Sequence, residues 1–570
     1  MTPQNAAYPI SPSAMGRRGM AALGWPIVSG LVVAGLLTGC SAPALERDGV
    51  GNGDSSQNPV DDTGPASVDA SGNACTAQRG AGVLRRLTKA EYQSSLAMLF
   101  ESDDVPSDEP LSGNNVEGVY STRAEGLWVK DLTAQALGNH ADVIAAWAFE
   151  SRREVVVGCE EVSDSCASEL IRSFGRRAFR QPLNEAQLKR YVDLFLGASS
   201  FEDAFTRVVS TMIQSPYFLY RREIGTDDAG FADLNDYELG SALAYFLTSA
   251  PPDAQLSASI DAGLLRDPAE WDAQVARLLD SPRAESTLVA FLVEWLELDR
   301  VLSRTKTEGG VEVTDSLRAS MMEEVRQLVL QIYREGGGVS ALLDHDSVFI
   351  NSELAAHYGM AAGASDGFEQ VPEGDRAGGL LGTGAFLLGH STVDSSSPTA
   401  RGIFVRQQLL CGEVPPPPPA LDTDLPVVEG PMTTRERFSV HLSQAVCATC
   451  HNQIDPYGFA FESYDGLGRY REEEAGLPVD SSGTTVGLDA GELPFSNAHE
   501  LTAILSEDQQ VQQCFHKNLL EYVSGQADWD NLCSVNLLSS DGPQSASIKD
   551  ALRSVLSLPH FESRVSQGAL

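Results

Sequence analysis

The sequence predicts a mainly α-helical protein built of several sub-domains, with one short Cys-x-x-Cys-His segment and a small β hairpin near the C-terminus. Three observations carry this expectation. Apolar residues recur in steps of three and four over most of the chain after residue 84, the spacing of amphipathic helices. Alternating strand patterns are scarce. The length, 570 residues, allows about three or four domains at roughly 100–200 residues each.

The first forty residues read as an address. Arg17 and Arg18 precede an apolar run from Ala21 to Leu37, which ends in Thr38-Gly39-Cys40. A positive start, a short apolar stretch and small residues at the cut make a secretory signal. The cysteine directly after Gly39 makes residues 1–39 resemble a bacterial lipoprotein signal, with Cys40 becoming the lipid-modified first residue. Residues 40–74 are rich in Gly, Ser, Asp, Pro and Asn and are expected to be a disordered tether. The expected location is the bacterial cell envelope, lipid-anchored at the outer membrane or the periplasmic face.

The helical body follows. An N-terminal helical domain is expected over 75–150, with periodic stretches at 88–100 and 129–149. A second, over 151–228, carries stretches at 165–177, 184–196 and 201–220. A third, over 229–362, carries 235–247, 268–280 and 284–298. Its longest helix opens at Thr314-Asp315, shows Leu317, Met321, Val325, Leu328 and Ile332 on one face, and stops at Gly336-Gly337-Gly338. Residues 363–475 hold the proline run Pro415 to Pro419, a stiff polyproline spacer, and the Cys-x-x-Cys-His segment. A C-terminal helical domain is expected over 476–570, where Gly483, Gly487 and Gly491 punctuate the small hairpin at 479–495.

Charge excludes some partners. The formal net charge is −39 and the mean hydropathy −0.14. Nucleic acid needs a basic footprint, so it is not an expected partner. The membrane is expected to be reached through the N-terminal lipid.

Nine cysteines must be placed. Cys40 goes to lipid, and Cys447 and Cys450 belong to the motif. The six others are even in number, which suits an oxidising compartment. Cys159 with Cys166 and Cys514 with Cys533 are plausible local bridges, and Cys75 with Cys411 follows by elimination.

Cys447-Ala448-Thr449-Cys450-His451 has the pattern of a c-type haem attachment site. Two thiols three positions apart reach both vinyl groups, and the adjacent imidazole meets the iron. The expected cofactor is covalent haem c on Cys447 and Cys450, with His451 as axial ligand. The sixth ligand is left among His441, Met432, His499 and His516, with His441 or Met432 preferred, or is absent, leaving a pentacoordinate iron. Arg469 or Arg471 could neutralise a propionate, while Glu462 and Asp465 are candidate ion-pair partners for the same arginines.

The flanks extend the pattern. Leu84-Arg85-Arg86-Leu87-Thr88 with Glu91-Tyr92, Phe174-Gly175-Arg176-Arg177-Ala178-Phe179-Arg180-Gln181-Pro182-Leu183, Ser215-Pro216-Tyr217-Phe218, Tyr237-Glu238-Leu239, and Ser397-Pro398 with Arg401-Gly402 stand in this order. With the haem motif they resemble a bacterial family of exported, cytochrome-c-like proteins built of serial domains of unknown function (1587, 1595, 1592, 1588 and 1585). The resemblance covers roughly residues 80 to 565. It implies a cytochrome-c-like haem segment within the helical body and carries no settled reaction.

The expected function is therefore an exported, lipid-anchored c-type haem protein taking part in periplasmic or cell-surface electron transfer, either alone or within an oxidoreductase. Its redox partner is expected to be a protein, basic if docking is electrostatic. The competing reading is a non-redox structural or binding lipoprotein in which Cys447 and Cys450 form a disulfide.

Overall fold

The computed structural model describes residues 82–565, apart from 107–110, 112–119, 229–230, 362–366, 375, 377–378, 417–429, 444, 527–533, 536–537 and 539–546. The signal, Cys40, the tether, Cys75, Cys533 and Pro417 to Pro419 fall outside the described residues.

Caps set where the helices begin. Thr88 caps Lys89–Phe100 and Asn184 caps Glu185–Leu196, each with a reciprocal bond from the third helical residue, Glu91 or Gln187. Ser163 opens Asp164–Phe179, Ser200 opens Phe201–Ile213, and Thr314 opens Asp315–Glu335. Gly336, at φ 76°, closes the last of these in the left-handed conformation that glycine adopts without strain. The periodic stretch at 201–220 is cut short because Pro216 lacks an amide and starts a new turn, Pro216–Leu219.

The helices sort into two hydrophobic cores. Residues 87–219 build the first, around Tyr92, Phe100, Phe174 and Phe205, with Tyr245 reaching in from a later helix. Residues 234–561 build the second, around Trp295, Val325, Phe386 and Phe515. Tyr245 bridges them, its hydroxyl 2.7 Å from Ser95 Oγ.

Sheet structure is slight. Val83–Arg86 pairs antiparallel with Tyr220–Glu223, so that Leu84 faces Arg222 and Arg85 faces Arg221 in register. Ser563–Val565 adds to Phe231–Asp233, which also pairs with Thr226–Asp228. The small hairpin near the C-terminus forms, with Gly483–Thr484 against Pro494–Phe495.

Two disulfides are described. Cys159 joins Cys166, and Cys411 joins Cys514 across 103 positions. This corrects the expected Cys514–Cys533 and Cys75–Cys411 bridges. The helix Gln509–Ser524 lies against the segment that ends at Cys411, which brings the Cα atoms of Cys411 and Cys514 to 5.4 Å. A pairing over that distance in sequence leaves no mark in local spacing.

Candidate functional site

The Cys-x-x-Cys-His motif lies on the helix Ala445–Phe459. That helix crosses Pro398–Phe404 at two glycines: a Cβ on Gly402 would strike Ile454, and one on Gly458 would strike Pro398. His451 Nδ1 sits 2.9 Å from Asp455 Oδ2, and the other oxygen of this fully buried carboxylate accepts from Thr399 Oγ1 at 3.1 Å. Cys447 and Cys450 are half-buried and belong to neither disulfide.

These features correct the haem expectation. Among the described residues no group of three or more His, Cys, Asp or Glu is placed to hold a metal ion. Among the described residues the cysteine pairing is disulfide bonding, and no cytochrome-c-like haem-binding segment is evident there. Haem c on Cys447, Cys450 and His451, and the electron-transfer function built on it, are overturned. The arginines expected at a propionate are spent on carboxylates. Arg469 lies 2.7 Å from Asp465, and Arg471 lies 3.0 Å from Glu462 and 3.2 Å from Glu474. The side chain of His441 is outside the described residues, and Met432 is half-buried. His499 meets Glu373 at 3.4 Å, while burial pushes His516 down to about 4. The disulfide-bearing alternative stands better, although its bridges are made by other cysteines than Cys447 and Cys450.

Beneath this segment Arg401 is fully buried. Its guanidinium donates to the carbonyls of Phe461 (2.7 Å), Tyr464 (3.2 Å), Leu387 (3.1 Å) and Asp465 (3.1 Å). A cation used this way fixes a main-chain turn and leaves no donor directed outward.

A better seat for a ligand lies elsewhere, in a cavity of about 660 Å³ at the paired strands. Such a volume falls in the range of small-molecule sites, about 300–1,000 Å³. The strand Tyr220–Glu223 supplies one wall. Side chains alternate along a strand, so Tyr220 and Arg222 face the cavity while Arg221 and Glu223 face inward. Leu84, opposite Arg222 in register, lies on the same face and is 59% exposed. Tyr217 projects from the preceding turn, its ring 5.3 Å from that of Phe179.

Arg180 holds this wall. It ends the helix Asp164–Phe179 in the left-handed region, at φ 57°, a conformation costly for a residue with a Cβ. From there its guanidinium donates to the carbonyls of Tyr217, Phe218 and Tyr220, each at 2.9 Å, and to Tyr245 Oη at 3.2 Å. Local strain is thus exchanged for a fixed turn carrying two tyrosines.

The far wall comes from the helix Asp236–Thr248, which brings Tyr237, Glu238 and Ser241. Glu238 is 3% exposed. Its Oε2 accepts from the Asn235 amide in the helix cap, while Oε1 is buried and receives no hydrogen bond, with Arg222 Nε 3.4 Å away as an ion pair. Burial pushes the carboxyl above its ordinary range, against the pull of the Asn235 amide, Arg222 and the Gly225 amide. A buried acceptor left open is costly unless something completes it.

A larger cleft nearby, about 990 Å³, is lined by several arginines, two of which are paired with acids of the same cleft. Arg176 lies 2.8 Å from Asp261, and Arg177 lies 3.5 Å from Glu101.

The chain matches three domain families in series. Residues 166–223 match Protein of unknown function (DUF1595), 234–360 match Protein of unknown function (DUF1592), and 377–474 match Protein of unknown function (DUF1588). No curated protein and no solved structure matches the chain. Most of the cavity wall lies in two of these stretches. Phe179, Arg180, Tyr217 and Arg222 belong to the DUF1595 stretch, and Tyr237, Glu238 and Ser241 belong to the DUF1592 stretch. The motifs around Leu84, Arg180, Tyr217 and Glu238, quoted above only as separate signatures, therefore meet at one place. The site is not legible in sequence because its motifs lie in separate segments that only the helix packing brings together. The signal available was the set of aromatic and charged residues inside those motifs that no helix stripe accounts for.

Proposed function

We propose that this chain is an exported, lipid-anchored binding protein, a helical body braced by disulfides with its ligand seat in the cavity between the DUF1595 and DUF1592 stretches. One observation carries the reading. A pocket of about 660 Å³ gathers aromatic faces around a buried carboxylate oxygen that has no hydrogen bond. Sites for small ligands have this make-up, an apolar lining with few convergent polar groups. The two disulfides support export, since such bridges persist in oxidising compartments. The signal at 1–39 and Cys40 supply the anchor in this reading.

Two measurements test it. A fragment library screened by ligand-observed NMR should yield binders of the wild type that Tyr217→Ala no longer retains. A library with no such binder overturns the binding seat. In cells, Cys40→Ser should move the protein from the membrane fraction to the soluble envelope fraction, and an unchanged distribution overturns the anchor.

A further inference from the structure

We infer that the cavity takes a sugar ring of a neutral glycan, an inference that rests on the binding reading above. Charge selects first. The charged groups lining the cavity are Arg180, Arg222 and Glu238. Arg180 gives its donors to main-chain carbonyls and Arg222 is ion-paired with Glu238 at 3.4 Å, so both are poor anion ligands. Glu238 Oε1 would repel an anion, and a chain of net charge −39 adds to that repulsion. A cation fares no better. Arg180 and Arg222 line the wall, and the Arg176 guanidinium lies 4.9 Å from the Tyr237 ring centre. A neutral ligand remains.

The lining then asks for a ligand with two kinds of surface. Tyr217, 42% exposed at the rim, and Tyr220 and Tyr237 within present flat apolar faces. Glu238 Oε1 asks for a hydrogen-bond donor. Gln181, Ser241 and the tyrosine hydroxyls offer further polar groups. A pyranose ring has apolar C–H faces and a hydroxyl rim, so one molecule satisfies both demands. Its face lies on the tyrosine rings while one hydroxyl donates to Glu238. The exposed Leu84 and Tyr217 leave the edge of the seat apolar and open, as a chain longer than one ring requires.

The test is affinity gel electrophoresis of the full mature chain in gels containing hydroxyethyl cellulose, galactomannan or xylan, with alginate as the acidic counterpart. Wild type should be retarded by at least one neutral polymer. Tyr217→Ala and Glu238→Gln should each raise the Kd by about tenfold or more, the scale of one lost charged hydrogen bond or stacking face. Leu132→Ala, on an exposed helix position, should change nothing. Because Glu238 also caps a helix, Tyr217→Ala decides the matter if Glu238→Gln fails to fold. Three results overturn the sugar assignment: no retardation by any neutral polymer, retardation that both pocket variants retain, or retardation by alginate alone that disappears with added salt. If a non-sugar fragment binds and is lost in Tyr217→Ala while every neutral polymer fails, the binding reading stands and the sugar falls. If nothing of either kind binds, both fall.

Discussion

Glu91 in the first core and Glu324 in the second are buried to 4% and 1% exposure, yet their surroundings favour opposite charge states. Glu91 meets Arg85 at 2.7 Å and Arg221 at 3.1 Å, and accepts from the Thr88 amide at 2.9 Å. Burial pushes its carboxyl up, but the two guanidiniums and the amide outweigh burial and hold it below the ordinary range. Glu324 accepts from Tyr358 Oη at 2.7 Å and the Gly384 amide at 3.2 Å, and its Oε1 receives nothing. Arg376 lies 3.8 Å from the Tyr358 ring centre but gives its terminal donors to the carbonyls of Gly468 and Gly382. Burial therefore wins, and Glu324 is pushed up to about 7. The contrast shows that burial alone does not decide the charge of an acid. What decides it is whether nearby cations spend their donors on the carboxylate or on the main chain. The two regions differ in use as well. The paired hub, with Glu223 and Arg564, lies directly behind the strand that walls the cavity, whereas Glu324 lies within plain core.

The most severe way to break the comparison is to remove a cation from the paired hub. Arg221 is 3% exposed and serves both Glu91 and Glu223. Arg221→Ala leaves two carboxylates short of a partner in the interior, a change expected to cost about 3–5 kcal/mol. Urea denaturation at pH 7 measures it, and a loss below about 1 kcal/mol would show that water or Arg85 replaces the pairing.

Next in size is the Cys411–Cys514 bridge, whose neighbours in sequence, Leu410 and Phe515, belong to the second core. It closes a loop of about a hundred residues, so the double change to serine is expected to cost about 3–4 kcal/mol. Hydrogen exchange should show the loss around Gln509–Ser524 while Lys89–Phe100 keeps its protection. Equal loss in both places would mean that the two cores unfold as one.

Titration separates the two acids without disrupting either site. A folded value near 7 for Glu324 means that its contribution is full below about pH 4.5, declines as pH rises, and is gone above about 7. The decline amounts to about 3–4 kcal/mol at roughly 1.4 kcal/mol per unit. Glu324→Gln should flatten stability across pH 5–8. Glu91, held low, acts in the opposite sense, with a contribution full above about 4.5 and lost as the solution is made more acid. Glu91→Gln should therefore leave the slope across pH 5–8 in place and weaken the dependence below pH 4.5.

Much of this architecture is legible in the sequence, and what is not has physical reasons. The long helices announce themselves because their stripes and caps are local: Thr314 to Gly336 can be read residue by residue. Thr88 with Glu91 reads as a capping box, but nothing local says that Glu91 also holds Arg221, 130 positions away. The strand Tyr220–Glu223 is four residues, three of them charged, with no alternation of apolar and polar types to betray it. The Cys411–Cys514 bridge and the cavity are long-range products of helix packing. The Cys-x-x-Cys-His string is the reverse case, since a local pattern predicted haem chemistry that the surrounding side chains do not assemble.

Arg222 offers the finest test, because it is the next residue along from Arg221 on the same short strand. It points to the cavity, its side chain is 47% exposed, and it pairs with Glu238 at 3.4 Å. The pair is exposed at its Arg222 end and buried at its Glu238 end, so Arg222→Ala should cost about 1–2 kcal/mol, above a fully exposed pair but below the about 3–5 kcal/mol of Arg221→Ala, which strands two carboxylates. Two adjacent arginines would then differ in stability for no reason but the alternation of the strand. Ligand affinity should show the reverse order once Arg221→Ala is measured under conditions where it remains folded, because Arg222 touches the seat and Arg221 only supports it. If both changes cost the same in stability, the alternation that places one arginine in the hub and the other in the cavity is wrong, and the wall of the proposed site is wrong with it.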